Sequence, residues 1–424
     1  MIRNKFISCF ILIFLGFLSL SFLGIENKSV RVVSLLFVSM IAVSHVGRIK
    51  SIIAREPILK SWFLFFLFSI PSIFFCREIT KCGFKLFDLC MMVMITALGV
   101  IYFKTRKSDV FKYICWYYVF QTVVTIIGYF VDPKAIAADI DYGNYVTFLH
   151  CNYPPIHGNS IGEFGGVTLL FTLVLIHFRQ KARQLNFRSR IYFFVIGLFG
   201  LSVLYLSSSR TCMIAFVVAF IFLFLHLYNP KTKLKFTMVG LCLALLFSNQ
   251  IINTTVRILM KKQNEQTMAA YVSTEDALMS GRLSIWENVM NHSEQLIIGK
   301  GYGVASSENE IGAANAHNSI MEILINSGVF ALFFWIRMWF LMYRCYRWLC
   351  KNQEYLPVDI SWIHLGAAFA VQSVIRSFGN VSFVYFHLNV FSVIGTIILF
   401  SYCRSSVIEN KIMQLKLKMK TDAY

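Results

Sequence analysis

The feature that most constrains this chain is repetition: apolar runs of about 16–25 residues, the length that crosses a bilayer as a helix, alternate with short polar gaps. They fall near 6–24, 31–47, 61–76, 86–103, 111–131, 160–178, 191–206, 211–228, 236–254, 319–343, 360–376 and 385–402. No single aqueous core can bury that much apolar surface, since 57% of the 424 residues are hydrophobic and only 14% are charged. A mean hydropathy of +0.64 agrees. The expected fold class is therefore an all-α polytopic membrane protein of about 12 transmembrane helices, forming a single membrane domain over residues 1–424. The basic start and apolar stretch of residues 1–24 resemble a signal peptide, but no convincing cleavage site follows, and the segment reads as the first helix.

The net charge of +19 excludes little by itself, because Lys and Arg lie mainly in the gaps between apolar runs. Arg48, Lys50, Arg55 and Lys60 share one side with Lys104, Arg106 and Lys107, and with Arg179, Lys181, Arg183, Arg188 and Arg190. That bias marks the cytoplasmic face and predicts both termini inside. No basic stripe or nucleic-acid-binding module accompanies the charge, so nucleic acid is not an expected partner. The 42 Phe, 19 Tyr and 7 Trp suit lipid contact and interfacial belts. The 11 Cys are scattered without metal-ligand spacing; Cys76, Cys82 and Cys151 lie near the outer face, where a bridge and free thiols both remain open.

Two outer segments exceed hairpin length: 132–159, and the main loop 255–318 between the ninth and tenth helices, which is expected to contain short helices. Function is sought there. In the main loop Ser280 is a plausible N-cap for a helix over GRLSIWENVM, and a glycine-bearing turn, GKGYG, follows. This turn resembles a phosphate-cradling loop only faintly, since it lacks the Lys-Ser/Thr ending and the strand-to-helix setting.

Several residues in and around these segments can carry chemistry. Arg210, in LSSSRT between two apolar runs, is either an arginine reaching to lipid headgroups or an anion ligand backed by three serine hydroxyls. Arg282 and Trp286 are four residues apart on one helical face, suited to hold an anion and to stack on a sugar; an amphipathic helix anchored by Trp286 fits the same spacing. His317 sits at the membrane edge before a helix, as a base or as a structural cap, with Asn318 and Glu322 on one face beyond it. Arg376 and His157 are secondary candidates for diphosphate or sugar contact. No cluster of acidic ligands suggests an obligate metal, and no cofactor is indicated.

Three ordered segments, SSSRT at 207–211, SGRLSIWENVM at 280–290 with LIIGKGYG at 296–303, and AHNSIMEILINSGVFALFFW at 316–335, resemble the O-antigen ligase and polymerase superfamily, the Wzy-type membrane glycan polymerases and their lipopolysaccharide-ligating relatives. The resemblance covers roughly residues 190–340. It implies a GT-C-like glycosyltransferase of the bacterial inner membrane, acting at the periplasmic face on an undecaprenyl-diphosphate-linked glycan. By position in the motifs, Arg210 and Arg282 would bind the donor diphosphate and His317 would be the essential histidine. Polymerisation of repeat units into O-antigen is the preferred expectation, and transfer to lipid A-core by a ligase is the alternative. A chain-length regulator is a candidate partner. A lipid-linked glycan flippase fits less well, because the polar candidates cluster at one face instead of lining a central path.

Overall fold

Eleven bounded α-helices, two 3-10 turns and a small ladder are the main elements of a computed structural model, which describes residues 39–103, 109–131, 151–152, 155–156, 158–184, 186–207, 209–235, 238, 282–291, 296–305, 316–381, 384 and 390–421. In chain order they are α1 (Val46–Arg55), α2 (Pro57–Ser69), α3 (Ile79–Phe103), α4 (Asp109–Val131), α5 (Gly158–Lys181), α6 (Phe187–Leu206) and α7 (Arg210–Leu227). They continue with α8 (Arg282–Asn291), α9 (Ser319–Lys351), α10 (Ile360–Ser377) and α11 (Val390–Thr421). The ladder pairs Cys151 with Ile156 and Asn152 with Pro155, just before α5.

The chain is a polytopic helical membrane protein: eight of the described helical stretches are long and apolar enough to span a bilayer. The expected span 6–24, all of 236–254 but residue 238, and the first half of 31–47 lie outside the described residues, as does most of the loop 132–159. α10 was expected as a span and is a helix, yet it is not among the eight. Its buried residues include His364, Gln372, Ser373 and Arg376, so it is the polar helix of the set, kept from lipid by its neighbours α5, α7, α9 and α11.

Local chemistry sets the helix ends. Pro57 opens α2, where its missing N–H costs nothing, and Pro71 falls where the α ladder tightens into the 3-10 turn Ile70–Phe75. Asn186 caps α6 by accepting from the Ser189 N–H at 2.8 Å. Two helices outrun the apolar runs that predicted them: α9 continues past 343 to Lys351, and α11 past 402 to Thr421. Apolarity ends there, but no Gly or Pro follows to break the ladder.

Burial separates centre from rim. Inside the bundle 78% of the apolar stretch of α11 is enclosed, whereas only 28% is for α6 and for α7, which leaves these two facing lipid. Small residues bring the rim in: a Cβ at Gly165 of α5 would come within 2.6 Å of the Leu204 backbone nitrogen of α6, so the two helices touch backbone to backbone. α2 and α9 run antiparallel, with Phe68 stacked on Phe334 at 4.9 Å. No disulfide joins the described cysteines.

Replacing Gly165 with Val should push α5 and α6 apart and destabilise the protein by about 1–3 kcal/mol, the usual cost of overpacking. Thermal unfolding of the purified protein in detergent measures this, and an unchanged transition would mean the helices are not in backbone contact.

Candidate functional site

The three motif segments lie on three helices. Arg210 is the first residue of α7, Arg282 lies in the first described turn of α8, and His317 and Asn318 immediately precede α9. They meet at the short segment that follows α10. There the Gly379 and Asn380 N–H groups turn back onto the Arg376 carbonyl at 3.1 and 2.9 Å, closing the helix. The carbonyls of residues 378–380, which helix geometry leaves without partners in their own chain turn, point outward and are claimed by the other segments. Thr211 Oγ1 donates to Gly379 O at 3.4 Å, Asn318 Nδ2 to Phe378 O at 3.4 Å, and Ser319 Oγ to Asn380 O at 3.2 Å.

Gly379 is where the segments come closest. A Cβ there would lie 2.8 Å from Thr211 Cγ2 and 3.4 Å from Arg282 Nη1. Glycine thus lets the α7 terminus and the Arg282 guanidinium approach the same backbone. Arg210 and Arg282 are both half-buried. Burial, and after it the Arg210 charge, hold the Arg282 pKa below the usual arginine range. Two guanidiniums close enough to repel, one of them at the N-terminus of α7, whose dipole also favours negative charge, suit an anionic ligand.

The backbone around His317 is held from both sides. The Ala316 N–H donates to Glu322 Oε2 at 2.7 Å, and the Ala316 carbonyl accepts from Trp286 Nε1 at 2.8 Å. Asn318 Oδ1 then caps α9, accepting from Ile320 N at 2.8 Å and Met321 N at 3.4 Å. Between these anchors His317 adopts φ +50°, a left-handed conformation uncommon for a residue with a side chain. Trp286 and Glu322, both expected as substrate contacts, thus each bond the backbone next to His317. Two of the three serines before Arg210 are likewise used locally. Ser207 Oγ donates to Leu204 O at 2.7 Å, and Ser209 Oγ accepts from Cys212 N at 3.4 Å; Ser208 is not described.

The GKGYG turn has a structural task that its glycines did not announce. α9 breaks at Gly328, φ +81°, which frees backbone groups on both sides of the kink. Lys300 N and Gly301 N donate to Ile325 O at 2.8 Å and Asn326 O at 3.2 Å, and Val329 N donates to Leu296 O at 2.8 Å. The turn therefore clasps the broken helix, and two of its amides are spent there instead of on a phosphate. Glu322 Oε1 adds a bond from Asn326 Nδ2 at 2.8 Å, linking the kink to the His317 anchor.

Arg376 lies one turn before the shared carbonyls but faces inward. It forms an ion pair with Glu163 of α5, both side chains being almost wholly buried. Ser392 Oγ reaches the other Glu163 oxygen at 3.5 Å, while Tyr118 accepts the Ser392 N–H at 3.0 Å. Sequence reasoning missed this pair, since nothing local connects residues so far apart. The Glu163 carboxylate is thereby engaged. His157, Glu275 and Glu310 lie outside the described residues, as does Ser280. Among the described residues, no group of three or more His, Cys, Asp or Glu side chains is placed to hold a metal.

Replacing Glu322 with Ala should strand the Ala316 N–H and the Asn326 amide, lowering stability by about 1–3 kcal/mol. A thermal transition equal to that of the unaltered protein would mean that Glu322 is held for substrate and not for structure.

No curated protein sequence matches the chain. Residues 193–336 match the family model described as O-antigen ligase. That segment runs from α6 through α7 and α8 into α9 and contains Arg210, Arg282 and His317, whereas Arg376 and residues 378–380 lie beyond it. That match, over about a third of the chain, supports a place in the O-antigen ligase and polymerase superfamily.

Proposed function

We propose that the chain is a membrane glycosyltransferase that polymerises undecaprenyl-diphosphate-linked oligosaccharide repeats into O-antigen or a related surface polysaccharide. The observation that carries this reading is the convergence of Arg210, Arg282 and the His317 segment on residues 378–380, at one end of a bundle of apolar helices. The inner membrane as location, both termini in the cytoplasm, and a periplasmic site are part of the same proposal.

The chemistry follows from the arrangement. The donor already carries a good leaving group, so the barrier lies in the charge that develops on the diphosphate as its bond to the anomeric carbon breaks. Two half-buried guanidiniums, aligned before the reaction, stabilise that charge where water would have to reorganise. His317 takes the proton of the acceptor hydroxyl while its oxygen forms the new glycosidic bond, and the lipid diphosphate leaves from the opposite face. A single displacement inverts the anomeric centre. The Glu163 and Glu322 carboxylates are engaged by Arg376 and by the Ala316 N–H, which favours that route over a covalent intermediate on either of them. Trp286, Glu322 and Asn318 act by holding the histidine.

A ligase is the second reading, favoured by the description of the family that residues 193–336 match. Polymerase and ligase share the donor half of the site and differ in the acceptor.

Arg210→Ala, Arg282→Ala and His317→Ala should each lower transfer by about 10²–10³-fold, the usual effect of removing one charge-stabilising group. Arg282→Gln should do so without lowering thermal stability, since it relieves repulsion with Arg210. In a host lacking the gene, complemented with each variant, the surface glycan is displayed on a gel. Core carrying a single repeat supports the polymerase; bare core with polymer stranded on its lipid carrier supports the ligase; an unchanged ladder overturns both.

A further inference from the structure

A second charged feature lies at the far end of the bundle. Between the start of α2, the last turns of α9 and the middle of α11 is a cavity of about 470 Å³. Its Arg344 lies sixteen residues, about 24 Å, beyond the break at Gly328, toward the end of α9 opposite Ser319. The cavity and the His317 segment therefore belong to opposite membrane interfaces.

Its walls are mostly carbon, from Ile58, Leu341, Ile408 and the Trp348 indole. Ile408 is 41% exposed, so the cavity opens at the side of the bundle. Two arginines, Arg344 and Arg404, also face it. Arg404 Nη1 pairs with the buried Glu56 Oε2 at 3.2 Å, and Ser405 Oγ donates to Glu56 Oε1 at 3.5 Å. That carboxylate is consumed. Arg344 forms no ion pair with a carboxylate among the described residues; its guanidinium lies 5.9 Å from the Phe340 ring centroid. The cavity therefore keeps one net positive charge, and exposed Arg55, Lys60 and Lys351 on the flanking turns add to the field.

We propose that this cavity binds an anionic phospholipid, with the phosphate on Arg344 and the acyl chains along Ile58, Leu341 and Ile408. A cationic pocket between membrane helices, apolar below and basic above, matches a negatively charged headgroup on two hydrocarbon chains. A free phosphate would use the arginine and leave the carbon walls idle. A zwitterionic lipid would use the walls and gain less from the charge. Occupancy joins α2, α9 and α11, and α9 is the helix that begins at the His317 segment.

The test uses the purified full chain in detergent, by native mass spectrometry and thermal unfolding, titrated with phosphatidylglycerol, phosphatidylethanolamine or inorganic phosphate. Phosphatidylglycerol should be retained in preference to phosphatidylethanolamine and should raise the transition temperature. Arg344→Gln, an exposed position, should weaken that retention by about fivefold, the weight of one arginine beside an anionic headgroup. The pair Glu56→Gln with Arg404→Gln, which keeps the charge balance, should weaken it less. Arg188→Gln, an equal loss of charge at an exposed site on α6, should leave it unchanged. Equal retention of the two lipids, or retention indifferent to Arg344→Gln, would overturn the proposal. So would inorganic phosphate displacing phosphatidylglycerol at similar concentration, which would mark a free-anion site.

Discussion

Backbone polar groups at the end of a helix must find partners, and near a membrane water does not always supply them. At the C-terminal end of α10 that requirement becomes the organising contact of the molecule. The carbonyls of Phe378, Gly379 and Asn380 accept from Asn318, Thr211 and Ser319, and so tie the start of α7 and the start of α9 to the most enclosed polar helix. Arg210 and His317 are neighbours of those donors. Their proximity is a by-product of satisfying three carbonyls, and Arg282 joins because residue 379 has no side chain to exclude it.

The same logic operates inside α9. A positive φ at Gly328 breaks the ladder in an otherwise apolar helix, and the 296–301 segment of the loop repairs it with three backbone hydrogen bonds. Repair has a consequence beyond stability, because it brings the main loop back to the helix that His317 precedes. Trp286 and Glu322 then grip Ala316 from opposite sides. A histidine in the left-handed region persists when its surroundings over-determine it, and this one is bracketed by two side-chain bonds and a helix cap.

Charge is distributed by the same economy of burial. Arg376 and Glu163 are almost wholly enclosed and matched to each other, whereas Arg210 and Arg282 are half-buried and set against each other. A matched buried pair holds α5 and α10 in register and offers little to a ligand; a mismatched cationic pair is relieved by an anion. Arg344 repeats the second pattern at the other end of the bundle, in a smaller form and on a mostly apolar wall.

Much was legible from the chain alone, for stated reasons. Run length and apolarity determined the helices, because a bilayer sets a length that composition must meet; the predicted 319–343 and 111–131 lie within α9 and α4. The motif around Trp286 was read as a helix because its spacing and cap signals are local, and α8 is there. The grouping of Arg210, Arg282 and His317 was available only through resemblance, since nothing in the spacing of residues 210, 282 and 317 brings them together. Tertiary structure alone decided the rest. It gave the GKGYG turn its bonds to α9, gave Trp286 and Glu322 to Ala316, paired Arg376 with Glu163, and made residues 378–380 the meeting point. Each of these depends on which backbone and side-chain groups are left without partners once the helices pack, and that is a property of the assembled bundle, not of any segment within it.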